Sequence, residues 1–358
     1  MRLLLALIGI ISFNIATSQV TNDLKQSVPV WLDYDKTTQS GSLKWIQDPN
    51  AEDYVISLLG EDPYQITEIE TIQGNNVYEI EDLPVGTTES YHLRKNFEGT
   101  GIITFGLEIP AIHHRGRCLI AIDDTLATPL AVEIGQLIND MRMDGWNVDS
   151  MHVDRSQTVT DVKSRIAEWY DESYGLSQTL FILGHIAVPY SGNSAYDGHN
   201  NHQGAWAADV FYGEMDGNWT DEFVNNTTPS RAENVNVPGD GKYDQTGIPS
   251  TVEIEVGRAD FYNLPAFADD EIELTRKYLN KNHAFRIGEK EYPRRALVEN
   301  NFAGFAEAFG QSGWRNFTTM FGGDSVSIQD YNTVLETDKY LFSYACGGGS
   351  YTSCGGVG

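Results

Sequence analysis

The spacing of apolar residues changes once along this chain, near residue 112, and the change divides it into two folding regimes. Before that point, short runs rich in Val, Ile, Tyr and Thr recur at even intervals: VWLDYD, SLKWIQ, DYVISLL, QITEIETI, NVYEIEDL, ESYHLRK and TGIITFGLEI. Turn formers such as DPN, GED and GNN separate them. This pattern predicts an all-β segment of sandwich type over residues 28–112. After that point the runs alternate in kind. CLIAIDD reads as a buried strand, and TPLAVEIGQLINDMRMDG as a helix. That helix is expected to bury Val132, Leu137, Ile138 and Met141 on one face and to stop at Gly145. WNVDSMHV, QTLFILG, VEIEVGRAD and RRALVENN continue as strands, with helical TVTDVKSRIAEWYDESY and DDEIELTRKYLNKN between them. Such alternation predicts a mostly parallel sheet with helices on its faces, within residues 116–358.

The first residues bear on compartment. Arg2 precedes an apolar run from Leu3 to Phe13, and Ala16 and Ser18 supply small residues at a cleavage point before Gln19. Residues 1–18 are therefore expected to be a secretory signal, which makes the protein secreted or a cell-surface protein with no membrane span. A formal charge of −27 argues against nucleic acid as a partner and fits an acidic protein outside the cell. Three cysteines, Cys118, Cys346 and Cys354, are too few for a disulfide-stapled scaffold. Cys346 and Cys354 are spaced to close a short loop in an oxidising compartment.

Two anchors sharpen the reading of the first segment. Trp45 is placed to fill the core from the second strand, and Leu83 and Tyr91 in LPVGTTESY have the spacing of a tyrosine corner, whose hydroxyl bonds back to upstream backbone. With these anchors, residues 28–112 resemble a fibronectin type III domain.

Ligands of open α/β sheets sit outside the carboxyl ends of the strands. Three places qualify: Asp123–Asp124, the long loop from about His185 to Ser250, and the segment after Tyr344. Asp123 and Asp124 make a poor pair for acid–base work, because adjacent side chains at a strand end point opposite ways. In the long loop, His199, His202 and Asp209 have the donor chemistry of a transition-metal site but not the spacing of an established one. Asp216, Asp221, Asp240 and Asp244, within DGNWTD and GDGKYD, are the preferred candidates, for calcium. Solvated turns are the plain alternative. No G-x-S-x-G elbow occurs, and GGGSYTSCGG lacks the lysine of a phosphate-binding loop.

The order of SQTLFILGHIAVP, AADVFYGEMDG and VEIEVGRADF resembles the gingipain-type cysteine peptidases of the caspase-like superfamily. The matching positions are Leu183–Gly184 with Pro189, Asp209–Tyr212, and Val256–Gly257–Arg258, and His185 departs from the family's usual Asp. The resemblance spans about Arg117 to Gly358. It implies a caspase-like, flavodoxin-like sheet, calcium sites, a protein or peptide substrate or ligand, and proteolysis by a His–Cys dyad. Two registers fit YLFSYACGGGSYTSCGGVG. In one, Cys346 is the nucleophile of a cysteine endopeptidase, but the nearest upstream histidine is His283. In the other, Gly347–Ser350 replaces the family's G-H-G-S turn, so that Gly348 occupies the histidine's place. The nucleophile strand then lies beyond Gly358, and the α/β domain is incomplete at its carboxyl end. The second register is preferred. The expectation is a secreted gingipain-like peptidase homologue lacking a complete dyad. The alternatives are an active cysteine endopeptidase and a surface binding or adhesion protein.

Overall fold

A computed structural model describes residue 24 and residues 27–60, 65–95, 99–110, 113–195, 202–300, 309–346, 349–350 and 353–354. The expected signal, residues 1–18, lies outside them. The chain forms two compact units, residues 1–111 with 291–358, and residues 112–290. The division differs from the linear one expected at 28–112 and 116–358, because the final strands group with the first unit.

In the first unit, β1 (Val30–Asp35), β2 (Ser40–Trp45) and β5 (Val77–Ile80) form an antiparallel sheet in the order β1-β2-β5. A second antiparallel sheet runs β4 (Ile66–Ile72), β3 (Tyr54–Leu59), β6 (Glu89–Lys95), β7 (Gly99–Phe105). Alternating residues of both sheets meet in one core that includes Val30, Leu43, Trp45, Tyr54, Ile56, Leu93 and Ile103, as the period of two requires. Trp45 is fully buried and lies 5.2 Å, centroid to centroid, from Tyr54. Tyr91 is buried beside Leu83 in the same core, and among the described residues its hydroxyl donates to the Glu89 carboxylate at 3.2 Å and not to upstream backbone.

The second unit is built on β8 (Gly116–Asp123), β9 (Trp146–Val153), β10 (Ser177–Leu183) and β13 (Glu255–Ala259), all parallel in the order β13-β10-β8-β9. Between them lie α1 (Asp124–Ala127), α2 (Ala131–Met143), α3 (Val159–Trp169), the short pair β11 (Tyr190–Ser191) and β12 (Trp206–Ala207), and α4 (Val210–Gly213). α5 (Glu271–Arg286) follows β13. Seven of the eight β8 residues are buried, as a central parallel strand covered on both faces demands. Two cores result, one holding Cys118, Ile120 and Ile122 with α2 and α5, the other holding Leu119 and Ala121 with Val162, Ile166 and Tyr212. The buried stripe of α2 is Ile134, Leu137 and Met141, with Ile138 partly buried against it. Val132, expected on that stripe, is 82 % exposed. The offsets 134, 137, 138 and 141 fit one helical face, and a residue two before Ile134 lies about 200° round the helix.

In the first unit, β14 (Ala296–Asn300), α6 (Phe309–Phe321), β15 (Val326–Ile328), α7 (Tyr331–Val334) and β16 (Phe342–Cys346) complete a three-stranded parallel sheet, ordered β15-β14-β16. A short hairpin of β17 (Gly349–Ser350) and β18 (Ser353–Cys354) follows. The mixture is thus an antiparallel sandwich plus two parallel sheets. No helix of the described residues is long and apolar enough to cross a membrane.

Candidate functional site

All four strands of the second unit's sheet deliver a polar residue to one place, the carboxyl edge. Asp123, the last residue of β8, is fully buried. Its Oδ1 caps α1 by accepting from the Thr125 amide at 2.9 Å and hydroxyl at 2.8 Å. Its Oδ2 accepts from the His185 amide at 2.9 Å and from Arg155 Nε at 2.8 Å. Asp123 therefore joins the strand ends of β8, β9 and β10 through one carboxylate. Asp124 turns the other way to meet His152 at 3.1 Å, both side chains being about half exposed. The two adjacent aspartates are split as expected.

His185 enters the site because β10 turns sharply after Leu183. Gly184 has φ +97°, and a Cβ there would lie 2.6 Å from Asp123 Cβ and from Leu126 Cδ1. Only glycine adopts that backbone in that space. The His185 ring is then gripped from β13: Nδ1 lies 2.9 Å from Asp260 Oδ2, while Asp260 Oδ1 accepts from the Tyr262 amide at 2.9 Å. Tyr262 stacks on the imidazole with centroids 4.0 Å apart, and the Arg155 guanidinium lies 5.0 Å from the same tyrosine ring. Arg155 also reaches Glu271 at the start of α5. Glu271 first, and Asp123 after it, outweigh burial and hold the guanidinium above its ordinary range. The side chains of His185 and Arg155 remain 39 % and 28 % exposed. This is a preorganised polar surface with one imidazole edge open to solvent.

The residues that carried the gingipain resemblance form the clasp beneath it. Arg258 of β13 makes a bidentate pair with Asp209, at 2.7 and 2.8 Å, and donates to the Ile186 carbonyl at 2.8 Å. The Asp209 carboxylate more than offsets the burial of Arg258 and raises its basicity. Tyr212 donates to the Ala187 carbonyl at 2.6 Å, and the Ala208 amide donates to the Pro189 carbonyl at 2.8 Å. Burial pushes the Tyr212 phenol up. These motif residues fix the loop that presents His185.

Three of the four calcium candidates, Asp221, Asp240 and Asp244, accept bonds from local groups. Asp244 accepts from the amides of Glu222, Phe223 and Val224 and from the Thr220 hydroxyl. Burial raises its carboxyl, and these donors outweigh it to hold the group below the ordinary range. Asp221 takes the amides of Gly239 and Gly241, and Asp240 those of Val237 and Lys242. Asp216 follows Glu214, whose carboxylate is the acceptor for the amides of Asp216 and Gly217. Among the described residues no three His, Cys, Asp or Glu side chains are gathered to hold a metal ion. Asp221, Asp240 and Asp244 thus already serve as acceptors for local amides, whereas Asp216 enters these contacts through its amide alone. Of the transition-metal candidates, Asp209 is committed to Arg258, and His199 lies outside the described residues.

Cys346 ends β16 and stands opposite Asn300 of β14; its side chain lies outside the described atoms, as do Gly348 and the side chain of Cys354. His283 is used as a helix tie: its Nδ1 lies 2.9 Å from the buried carboxylate of Asp140, joining α5 to α2. Cys118 is buried within β8, where desolvation pushes its thiol up.

No protein-family model matches the chain, and no curated protein does. Among solved structures, the chain is similar to the crystal structure of FN3tt at 22 % identity, over 22 % of this chain and 90 % of that one, with a TM-score of 0.18. It is also similar to an Fn3-like protein from Clostridium thermocellum, at 18 % identity over 25 % and 99 % of the two chains, with a TM-score of 0.19. A beta-D-glucuronidase from Dictyoglomus thermophilum matches at 10 % identity over 78 % and 44 %, with a TM-score of 0.21. The likeness is thus to fibronectin type III folds at low coverage, and none of these matches is to a gingipain or caspase-like peptidase.

Proposed function

We propose that the protein is a secreted gingipain-like peptidase homologue that binds a protein or peptide segment at the carboxyl edge of its parallel sheet. The observation that carries this reading is the convergence of Asp123, Arg155, His185, Asp260 and Tyr262 at that edge. Open α/β sheets place ligands there, and the site's groups are already oriented by second partners, which lowers the ordering cost of binding. Asp260 fixes one imidazole nitrogen and leaves the other to meet a ligand. The described part of the site contains no thiol, which suits recognition without cleavage. The test is retention of a defined set of synthetic ten-residue peptides on the immobilised full chain. Sequence-selective retention lost in His185→Ala and Tyr262→Ala is expected, and equal retention by wild type and both variants would sink the reading.

The active-endopeptidase reading is favoured by one observation, that Cys346 is the last residue of a parallel strand beside β14. A nucleophile at such a strand end is well placed for backbone amides to face a developing oxyanion. A peptidyl acyloxymethyl ketone decides between the two readings. An adduct on Cys346 formed much faster than alkylation of a free thiol supports catalysis, and a rate equal to that of a free thiol excludes it.

A further inference from the structure

Strand β4 is the terminal strand of its sheet, and among the described residues it is bonded on one side only, to β3. Six of its seven residues are exposed, Ile72 alone being buried. A four-stranded sheet packed on a three-stranded one leaves a strand without an opposite layer, and the exposure of β4 identifies it as that strand. Ile66 and Ile69 are 52 % and 43 % exposed. Ile56 pairs with Glu70 and Ser57 with Glu68, so Ile69 is the extra residue of a bulge.

An open edge presents unpaired amide and carbonyl groups that template another strand. The bulge and the two glutamates restrict which strand that can be. A second copy of β4 would set carboxylates against carboxylates, which is unfavourable across a sheet. A strand of opposite charge meets no such penalty. Neither Glu68 nor Glu70 has a cationic partner among the described residues; Glu68 accepts only the Thr71 hydroxyl, at 3.3 Å. Ser57 and Ile56 face opposite sides of the sheet, so their partners Glu68 and Glu70 do too. We propose that β4 is a docking edge for an extended protein segment that carries Lys or Arg on both of its faces among aliphatic residues, added to the sheet as a further strand. Main-chain bonds to β4 supply affinity, Ile66 and Ile69 the apolar contact, and Glu68 and Glu70 the selection for a basic partner. This inference is independent of the site at His185.

The probe is a fluorescein-labelled Val-Lys-Arg-Val-Lys-Arg-Val peptide, which as a strand carries cations on both faces, titrated with the full chain and read by anisotropy, beside a Val-Glu-Glu-Val-Glu-Glu-Val control. Hydrogen exchange locates the contact. The expected result is saturable binding of the basic peptide alone, slowed exchange in residues 66–72, and weakening of about tenfold between about 50 mM and 500 mM salt. Glu68→Gln with Glu70→Gln, which keeps the side-chain shape, weakens binding, and Glu68→Lys with Glu70→Lys abolishes it. An unchanged thermal transition shows that the variants are folded. The proposal is overturned if both peptides bind alike, if neither binds, if protection falls outside β4, or if the chain alone dimerises with β4 protected.

Discussion

His185 Nδ1 lies 2.9 Å from Asp260 Oδ2, and the same carboxylate receives the Tyr262 amide through its other oxygen. One aspartate thus sets the tautomer of the imidazole and the position of the ring stacked on it. Asp260→Asn keeps one acceptor oxygen and replaces the other by an NH2 donor, so it is expected to retain only one of the two contacts without unfolding the chain, because the pair is partly solvated and such contacts contribute about 1 kcal/mol or less. Nitrogen NMR of the wild type is expected to show His185 with its proton on Nδ1. The variant is expected to show a tautomer mixture and weakened peptide retention. An unchanged spectrum in the variant would remove Asp260 from the site.

Gly184 is the structural precondition for that geometry. Its φ of +97° and the 2.6 Å that would separate an added Cβ from Asp123 Cβ combine two penalties, one of backbone and one of packing. Gly184→Ala is expected to lose about 2–3 kcal/mol in urea unfolding. Ala substitution at Gly239, whose φ is +83° with nothing within 4 Å of an added Cβ, carries the backbone penalty alone and is expected to cost about 1 kcal/mol.

Lys163 of α3 reaches the Phe211 carbonyl at 2.9 Å and also the Glu214 carbonyl, tying α3 to the end of α4. Burial pushes its ammonium down to about 8, against the pull of Glu214 and Glu253. The folded pKa lies below the unfolded one, so below pH 8 both states are protonated and folding bears the full desolvation cost. Between about pH 8 and 10.5 the unfolded chain binds more protons, and stability rises with pH. Carbonyl contacts favour the ammonium and reduce the effect, leaving an expected gain of about 1–2 kcal/mol relative to Lys163→Met. A flat difference between wild type and variant across that range would contradict the assignment.

The fold was legible where local pattern decides it, and the site was not. All seven sandwich runs and the β8–α2–β9–α3–β10 series follow from periods of two and 3.6, and Trp45 was identified by type and position. The grouping of β14 with β15 and β16 was not legible, since RRALVENN reads as a buried parallel strand whichever sheet it joins. Within the site, Asp123 and His185 stand at strand ends and carry a readable signal. Arg155, Asp260, Tyr262 and Glu271 reach them across intervals that no spacing rule specifies. The loop aspartates are ambiguous in sequence for a related reason. A carboxylate on a glycine turn looks the same in sequence whether it faces a cation or, as Asp244 does, a row of backbone amides.

The first unit contains a buried ion pair whose removal tests the packing of its sandwich. Lys95 and Asp48 are 3 % and 8 % exposed and in contact, and Lys95 also donates to the Leu24 carbonyl. Burial works to raise the Asp48 carboxyl, but Lys95 and Asn50 outweigh it and hold the group below its ordinary range. A depressed folded pKa stabilises the fold above the unfolded value of 3.8 and is lost as pH falls below it. Lys95→Met leaves the carboxylate unpaired in a nonpolar interior and is expected to cost about 3–5 kcal/mol at pH 7. Asp48→Asn together with Lys95→Met, which removes both charges, is expected to recover most of that loss and to flatten the acid limb of the stability curve. A double variant no more stable than Lys95→Met alone would show that the lysine acts through packing and its bond to Leu24, not through the charge of Asp48.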